Sequence, residues 1–309
     1  LRGSYLGICR TGYGGQLITT KTKLAIPAPA KINLGLEIIR RRSDGYHDVV
    51  TVLQALEFGD TVHLAETNAA SIDGQPSVPG LTHELDLAFR AAYELRKLVE
   101  PRSGVNIHVE KRIPIAAGLG GGSSNAAAVL LGLEALWGAN RASVHQVARS
   151  LGTDVPFFLD PQTTLGLGRG DELRPLSLAP SRWVVLARPE RKLSTPDVYA
   201  NSSPDDWSGG NSTLALVDAI QDGRLESSLL LNNLQVAAMS LVPEIEIVLK
   251  NLRKTGAQPA LVSGSGPTCF GLYTEENSAQ AAQKELAEHG WWTIMTRFRE
   301  SAVAPKELR

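Results

Sequence analysis

A run of glycines and serines, Gly118–Ser124, separates an apolar segment from an alanine-rich one. Four glycines within seven residues allow backbone conformations that side chains forbid, and they let a ligand approach the backbone closely. Residues 126–137 are strong helix formers, so a long helix is predicted to begin near Ser123 or Ser124. The start of a helix offers unpaired N–H groups and the positive end of its dipole. The run therefore predicts an anion site, most naturally for phosphate.

Two familiar phosphate-binding motifs do not fit this run. A Walker A loop requires a lysine before its final Ser or Thr, and Gly122 occupies that position. A dinucleotide fingerprint requires a sixth-position glycine, where Ser123 stands, and an acidic residue about 20 residues later, which is missing. The serine hydroxyls could bind phosphate or a magnesium ion that accompanies it. The alternative is a flexible turn in front of a buried helix.

Composition excludes several classes of protein. The 309 residues are 43% hydrophobic and 20% charged, as in an ordinary globular protein, and the length favours two domains. A formal net charge of −1 does not favour a nucleic-acid partner, and no apolar run approaches the roughly 18 residues that span a bilayer. Two cysteines, Cys9 and Cys269, exclude a disulfide framework and favour a reducing cytoplasm. The six histidines show no metal-ligand spacing, so no metal site is expected.

The remaining pattern predicts an α+β protein. Residues 1–22 are expected to lie outside the folded domains, as a disordered extension or a remnant of cloning. A capping box at Ser143 and a stop at Gly152 bound one predicted helix. Strands are predicted over 32–38, 49–58, 61–65, 260–262, 269–273 and 292–298, and other helices over 81–99, 211–220, 226–241, 244–254 and 277–289. Elements in this order are typical of a two-layer arrangement.

Two charged residues stand in otherwise apolar segments. Strand alternation places Lys31 on one face with Asn33, and Asp154 follows the end of a predicted helix. Charged side chains in such surroundings are rarely buried without a partner. One interpretation pairs Lys31 with Asp154 in a single site. The other makes the lysine a solvated strand residue and the aspartate an ordinary turn residue.

Two further segments carry candidate binding residues. Tyr46 and His47 follow a predicted turn, where they could stack on a planar base and hydrogen-bond to its edge. They could equally be a partly exposed turn pair. A second glycine loop, Ser263–Thr268, includes Gly264 and Ser265, whose polar groups could line a groove. A tight hairpin would also explain this loop.

Several of these segments occur together in a recognisable order. They are PAKINL at 29–34, DGYH at 44–47, the glycine loop at 114–124, GTDVPFF at 152–158 and GSG at 264–266. This set resembles the GHMP small-molecule kinases over nearly all of residues 25–300. Within that family, the combination of AKINL, DGYH and GTDVPFF resembles the members that phosphorylate a cytidine-diphospho sugar alcohol. The implied reaction uses ATP and belongs to the non-mevalonate route to isoprenoids.

The resemblance implies a fold of two domains. The amino-terminal one, expected over residues 23–178, would be similar to domain 2 of ribosomal protein S5. The carboxy-terminal one, expected over residues 179–303, would be ferredoxin-like, and the site would lie in the cleft between the two. We expect a cytoplasmic monomer or weak homodimer that binds a small molecule and has neither a nucleic-acid nor a membrane partner.

The resemblance also assigns roles to residues. It implies catalysis by Lys31 and Asp154, and ATP that brings its own Mg²⁺. The implied phosphate loop is Pro114, Ile115, Ala116, Ala117, Gly118, Leu119, Gly120, Gly121, Gly122, Ser123 and Ser124. The implied substrate-binding residues are Asn33, Tyr46, His47, Tyr199, Gly264 and Ser265. The chain departs from the family at Leu85–Asp86–Leu87, where Asp–Asn–Leu usually opens the first long helix near adenine.

Two other functions stay open at this point. A GHMP kinase of the mevalonate or homoserine type would share the phosphate loop, but the Tyr46–His47 pair and Tyr199 argue against it. A non-catalytic nucleotide-binding protein would share the fold, but the presence of both Lys31 and Asp154 argues against that.

Overall fold

A long antiparallel hairpin organises the first half of the molecule. Its strands are β1 (Lys23–Arg41) and β2 (His47–Thr67). The pairing shifts register between Pro29 and Lys31, so β1 continues past a residue that has no N–H to donate. The three strands predicted here are therefore parts of two longer ones.

The computed structural model describes residues 22–308, so the predicted extension over 1–22 and Cys9 lie outside the described residues, apart from residue 22 itself. The larger sheet has the order β12-β1-β2-β4-β3; in addition, β8 pairs with β1, β5 pairs with β2, and β6 pairs with β5. These further strands are β3 (Ile72–Gly74), β4 (Gly104–Glu110), β5 (Thr164–Leu167), β6 (Glu172–Pro175), β8 (Leu231–Asn232) and β12 (Lys306–Glu307).

Three helices pack on this sheet and bury its main core. They are α1 (Leu87–Val99), α2 (Gly121–Trp137) and α3 (Arg141–Leu151). Helix α1 begins later than predicted because the Asp86 carboxylate caps it by accepting the N–H of Ala88. The predicted capping box at Ser143 is wrong: Asn140 is the N-cap of α3, and its side chain accepts the Ser143 N–H at 2.9 Å. Gly152 is the C-cap of α3, as predicted.

A second, smaller sheet has the order β11-β7-β10-β9, with every pair antiparallel. Its elements follow the chain order strand, helix, strand, strand, helix, strand. They are β7 (Trp183–Arg188), α7 (Glu244–Lys254), β9 (Ala260–Val262), β10 (Cys269–Tyr273), α8 (Glu276–Ala287) and β11 (Trp292–Arg297). This βαββαβ unit is the ferredoxin-like arrangement and confirms the expected fold class.

Between β7 and α7 the chain forms α4 (Thr195–Ala200), α5 (Asn211–Gln221) and α6 (Gln235–Leu241). The single helix predicted over 226–241 is wrong, because this stretch also contains a 3₁₀ turn and the strand β8. Strand β8 pairs with β1, and the Asn232 amide donates to the carbonyls of Val262 and Gly264 at 2.8 Å each. These distant partners outweigh the helical pattern of the local sequence.

Segments from both halves of the chain contribute to the larger sheet. Strands β8 and β12 come from beyond residue 178 and pair with β1. The boundary between residues 178 and 179 stays a prediction. No helix within residues 22–308 combines the length and the apolar character that crossing a bilayer requires.

Candidate active site

One large cleft brings the predicted site residues together. Its volume is about 1230 Å³, and the phosphate loop, the end of the β1–β2 hairpin, α4 and the second glycine loop all contribute to its walls. Every predicted site residue lies within the described chain, and all except Ser124 line this cleft. The lining residues among them are Lys31, Asn33, Tyr46, His47, Pro114, Ile115, Ala116, Ala117, Gly118, Leu119, Gly120, Gly121, Gly122, Ser123, Asp154, Tyr199, Gly264 and Ser265. Their individual roles stay predictions.

Two positions of the phosphate loop require glycine, because any side chain there would be strained or would collide with its neighbours. Gly118 and Gly120 have φ of +74° and +73°, in the left-handed region. A Cβ on Gly118 would lie 2.3 Å from the Ser263 carbonyl oxygen, and one on Gly120 would lie 2.7 Å from the Phe158 ring. Gly120 is also the N-cap of α2, and no side chain caps the helix there. The first N–H groups of α2 therefore stay open to an anion in the cleft.

The second glycine loop packs against the first. It is the hairpin between β9 and β10, and it is also bonded to the phosphate loop. The Ser263 hydroxyl donates to the Gly118 carbonyl at 3.0 Å, and the Thr268 N–H donates to that of Ala117 at 3.4 Å. A Cβ on Gly264 would lie 3.3 Å from both the Lys31 Nζ and the Asn33 Oδ1 atoms. A side chain at position 264 would therefore crowd both of these polar atoms.

Lys31 is buried and paired, so it is not a solvated strand residue. Its ammonium Nζ donates to Asn33 Oδ1 at 2.7 Å and lies 3.8 Å from Asp154 Oδ2. The Asn33 amide in turn donates to the Thr51 hydroxyl at 2.8 Å. The Lys31 backbone N–H donates to the Leu119 carbonyl at 3.0 Å, which joins β1 to the phosphate loop. These contacts hold one positive charge in the floor of the cleft.

Asp154 faces that charge from a turn after α3. Its side chain is 35% exposed, against 7% for the side chain of Lys31, so it can meet a ligand in the cleft. Burial, together with the negative charge of Asp154, raises the pKa of Tyr199 to about 12. The carboxylate therefore acts electrostatically on both Lys31 and Tyr199.

Aromatic rings form another wall of the cleft. The rings of His47 and Tyr199 stack with centroids 5.0 Å apart, and Arg169 lies 5.2 Å above the ring of Tyr46. Burial, and secondarily the charge of Arg41, lower the pKa of His47, which favours a neutral imidazole. Such a wall suits a planar, partly polar group.

Sequence reasoning missed the contribution of Trp207. Its ring meets the His47 ring edge-on with centroids 5.5 Å apart, and it lines the cleft. The only local signal is a large aromatic residue in an otherwise polar loop, which by itself does not predict where the ring packs.

A buried polar network behind the phosphate loop was also missed. The Asp60 side chain is fully buried and accepts from Lys111 Nζ, from the Asn125 amide at 2.9 Å, and from the N–H groups of Arg112 and Ile113 at 2.6 and 2.7 Å. These bonds join β2 to the start of the loop and to the first turns of α2. A carboxylate within an apolar strand was the available signal.

Asp86 lies in the segment Leu85–Asp86–Leu87, where the chain departs from the family, and it has a structural role. The Asp86 carboxylate caps α1 and accepts both the N–H and the hydroxyl of Ser77, at 2.6 and 2.7 Å. Asp86 and its two neighbours in the chain line the cleft, as does Ser77. The aspartate thus holds together two segments of the wall next to the phosphate loop.

Metal ligands of the usual kind are not clustered in residues 22–308, where no group of three or more His, Cys, Asp or Glu residues could hold an ion. The Ser124 hydroxyl is buried directly behind the loop without a hydrogen-bond partner. The neighbouring Ser123 does line the cleft, and a serine hydroxyl at the start of a helix is a known type of ligand for phosphate-bound Mg²⁺.

Two family models match the chain. The GHMP kinases N terminal domain matches residues 86–160, and the GHMP kinases C terminal domain matches residues 216–290. The first match includes the phosphate loop and Asp154, and the second includes the glycine loop at 264–266. The fold and the cleft therefore define a GHMP kinase, an ATP-dependent enzyme that acts on small molecules.

Named proteins of similar sequence identify the particular family within the GHMP kinases. A 4-diphosphocytidyl-2-C-methyl-D-erythritol kinase of Nocardia farcinica is 40% identical over 89% of this chain and 93% of its own length. One of Shouchella clausii is 39% identical over 82% of this chain and 87% of its own. The chain belongs to the family of 4-diphosphocytidyl-2-C-methyl-D-erythritol kinases.

Solved structures agree with this assignment. A crystal structure of 4-(cytidine 5'-diphospho)-2C-methyl-D-erythritol kinase has a TM-score of 0.79 at 34% identity, covering 90% of this chain and 100% of that one. A homoserine kinase from Cytophaga hutchinsonii has a TM-score of 0.72 at 16% identity, covering 96% of this chain and 100% of that one. The second likeness shows only the fold.

Proposed function

We propose that this chain transfers a phosphoryl group from ATP to the 2-hydroxyl of 4-diphosphocytidyl-2-C-methyl-D-erythritol, in the non-mevalonate route to isoprenoid precursors. The observation that carries the proposal is the Lys31–Asp154 pair, 3.8 Å apart, between a phosphate loop and an aromatic wall. The names of the relatives at 39% and 40% identity support the choice of substrate.

The phosphate loop binds ATP in this proposal. Left-handed glycines at 118 and 120 expose backbone N–H groups, and the uncapped start of α2 adds its dipole. The side chain of Ser123, which lines the cleft, is the candidate ligand for Mg²⁺ that arrives with the nucleotide. The ion would neutralise charge on the phosphates.

Lys31 and Asp154 act on the acceptor hydroxyl. Phosphoryl transfer depends chiefly on positioning and on charge stabilisation. The exposed carboxylate of Asp154 orients the hydroxyl and accepts its proton. The buried ammonium group of Lys31 favours the ionised form of that carboxylate and stabilises the negative charge that develops on the attacking oxygen.

The aromatic wall binds the cytidine end of the substrate. Tyr46 and Tyr199 offer ring faces for stacking, and the neutral imidazole of His47 offers one donor and one acceptor for the base edge. Gly264, Ser265 and Asn33 would line the path of the sugar alcohol between the base and Asp154. Because buried polar groups must be satisfied, a substrate without a matching base edge would bind less well.

An ATP-consumption assay with a panel of alcohols tests the proposal. The panel contains 4-diphosphocytidyl-2-C-methyl-D-erythritol, mevalonate and homoserine, each with Mg²⁺ and ATP. We expect turnover with the cytidine compound at a kcat/KM at least about 100-fold above the others, because they cannot use the base contacts. Preference for mevalonate or homoserine would refute the substrate assignment. Nucleotide binding without any turnover would indicate a non-catalytic protein.

A further inference from the structure

Trp207 contacts the same imidazole that Tyr199 covers. The Tyr199 ring stacks on His47 at 5.0 Å and 26°, and the Trp207 ring meets it edge-on at 5.5 Å and 85°. Within residues 22–308, neither ring nitrogen of His47 has a hydrogen-bond partner. The imidazole therefore packs against these two rings, and its ring nitrogens are left for a ligand.

The loop that carries Trp207 is anchored at the next residue. The Ser208 hydroxyl donates to Glu37 Oε1 at 2.6 Å, and the Asn233 amide donates to the same hydroxyl at 3.0 Å. The Ser208 N–H also donates to Asn233 Oδ1 at 3.3 Å. The chain beside the tryptophan is thus bonded to β1 and to the residue that follows β8.

Glu37 is the centre of this anchor. Its side chain is fully buried, and no lysine, arginine or histidine of residues 22–308 forms an ion pair with it. Besides the Ser208 hydroxyl it accepts the N–H groups of Gly210 and Thr213, at 3.2 and 2.5 Å. Burial alone would raise the pKa of Glu37, but these hydrogen bonds outweigh it and hold the pKa below its ordinary value.

A buried carboxylate is costly unless hydrogen bonds compensate it. Here the donors belong to the loop of Trp207 and to the first turn of α5. The carboxylate therefore fixes where this loop leaves the cleft and where α5 begins. Glu37 therefore influences the cleft through its hydrogen bond to Ser208, the residue next to Trp207.

We propose that Trp207 is a positioning residue of the base subsite, that it holds the His47 ring toward the nucleobase of the substrate, and that Glu37 keeps Trp207 in place through Ser208. The inference rests on the proposed function, since the base belongs to the proposed substrate. It adds two residues, Trp207 and Glu37, that the family motifs do not include.

Steady-state kinetics of Trp207→Ala test this role. We expect KM for the cytidine-diphospho substrate to rise about three- to tenfold, the loss associated with an edge-to-face pair of rings. Both kcat and KM for ATP should stay within about twofold of the parent values, because the variant leaves Asp154 and the phosphate loop intact. Trp207→Phe keeps an aromatic edge and should restore most of the affinity.

Ser208→Ala tests the anchor separately. It removes the link from Glu37 to the loop but leaves the bonds of Glu37 to Gly210 and Thr213. A smaller rise in KM for the cytidine compound is expected, again with kcat and KM for ATP unchanged. This variant deletes one hydroxyl only, so it keeps the proposal testable if Trp207→Ala does not fold.

Trp291 supplies a matched control, because its ring stacks on His289 at 4.7 Å and 21° and it does not line the cleft. Trp291→Ala should leave both KM values at the parent level. An unchanged KM in Trp207→Ala, or an equal rise for both substrates, would overturn the positioning role. If the parent enzyme itself does not turn over the cytidine compound, the proposed function fails and the inference fails with it. Parent turnover with an unaffected Trp207→Ala variant removes only the inference.

Discussion

Two regions share one cleft but are assembled in different ways. One is the phosphate loop, and the other is the aromatic wall that is proposed to bind the base, called the base pocket below. The phosphate loop is the continuous segment 114–124, and its shape follows from two left-handed glycines and the start of α2. The base pocket joins Tyr46 and His47 from the β1–β2 hairpin to Tyr199 and Trp207 from the second half of the chain. The first is a local structure, and the second exists only after the chain has folded.

This difference predicts how each region responds to substitution. A change in the phosphate loop acts through the backbone at the same position, so it should affect ATP directly. A change in the base pocket acts through packing between distant segments, so it should affect only the second substrate. The Lys31–Asp154 pair lies where the two regions meet, and we expect the reaction of both substrates to depend on it.

The largest effect is expected at that meeting point. Asp154→Asn removes the proposed proton acceptor but keeps the size of the side chain. We expect kcat to fall by about 10²–10⁴, the range for loss of a general base, with both KM values little changed. Stopped-time assays of product formation measure this.

Asp160→Asn is the matched control for that variant. Asp160 follows the 3₁₀ helix Pro156–Leu159 and does not line the cleft. Its kcat should equal that of the parent. Parent-like turnover in a folded Asp154→Asn enzyme would remove the carboxylate from the chemistry and leave the two regions without a shared residue.

The next effect tests the local character of the phosphate loop. Gly120→Ala places a methyl group at a φ of +73° and 2.7 Å from the Phe158 ring. A left-handed conformation costs a non-glycine residue about 1–3 kcal/mol, and the collision adds to this. We expect ATP to bind about 100-fold more weakly, as measured by calorimetric titration with a non-hydrolysable analogue.

Gly138→Ala separates strain from the loss of the site. Gly138 caps the other end of α2 at a φ of +65°, and a Cβ there would meet nothing within 4 Å. That variant should lose stability in thermal unfolding while its affinity for ATP is retained. Equal affinity in Gly120→Ala would mean that the phosphates bind elsewhere.

A smaller and more selective effect is expected in the base pocket. Tyr199→Ala removes one face of the stack, a contact worth about 1–3 kcal/mol per base in single-strand nucleic-acid sites. We expect KM for the cytidine compound to rise about tenfold with KM for ATP unchanged. Steady-state kinetics with each substrate varied in turn give both constants.

Tyr199→Phe and Tyr93→Ala are the controls for this stacking role. The first keeps the ring and should behave as the parent does. The second removes a half-exposed ring on α1 that does not line the cleft. A parallel rise of both KM values in Tyr199→Ala, with a lower melting temperature, would instead indicate a packing residue between the domains.

The smallest effect concerns pH. Because the pKa of His47 is lowered from its ordinary value of 6.5, the imidazole is neutral at neutral pH and gains a proton only as the pH falls below that value. Protonation removes the acceptor nitrogen, so KM for the cytidine compound should rise about threefold or less between about pH 7.5 and about pH 6.

His47→Gln shows whether the imidazole causes this dependence. Glutamine offers a donor and an acceptor but does not titrate, so the pH dependence of this KM should disappear in the variant. The pH dependence of KM for ATP should be the same in both enzymes. A variant that keeps the parent's pH dependence for the cytidine compound would exclude His47 as its source.

Local sequence patterns predicted the parts of the molecule whose structure depends on neighbouring residues. The bounds of α7, β9 and β10 agree with prediction, and the start of α2 differs from it by two or three residues. The helix predicted over 226–241 failed because β8 pairs with a strand far away in the chain. Side-chain periodicity carries no information about such a partner.

The sequence by itself determined which residue types are available to the cleft: a glycine loop before a helix, one lysine and one aspartate in apolar surroundings, and a Tyr–His turn. Those features depend on backbone preferences and on spacing along a few residues. Only the tertiary structure decided that Lys31 lies 3.8 Å from Asp154, that the Trp207 ring meets the His47 ring edge-on, and that Ser208, beside Trp207, is bonded to Glu37. The physical reason is that such contacts form between segments distant in the chain, and the packing of helices and loops on the sheets sets their distances.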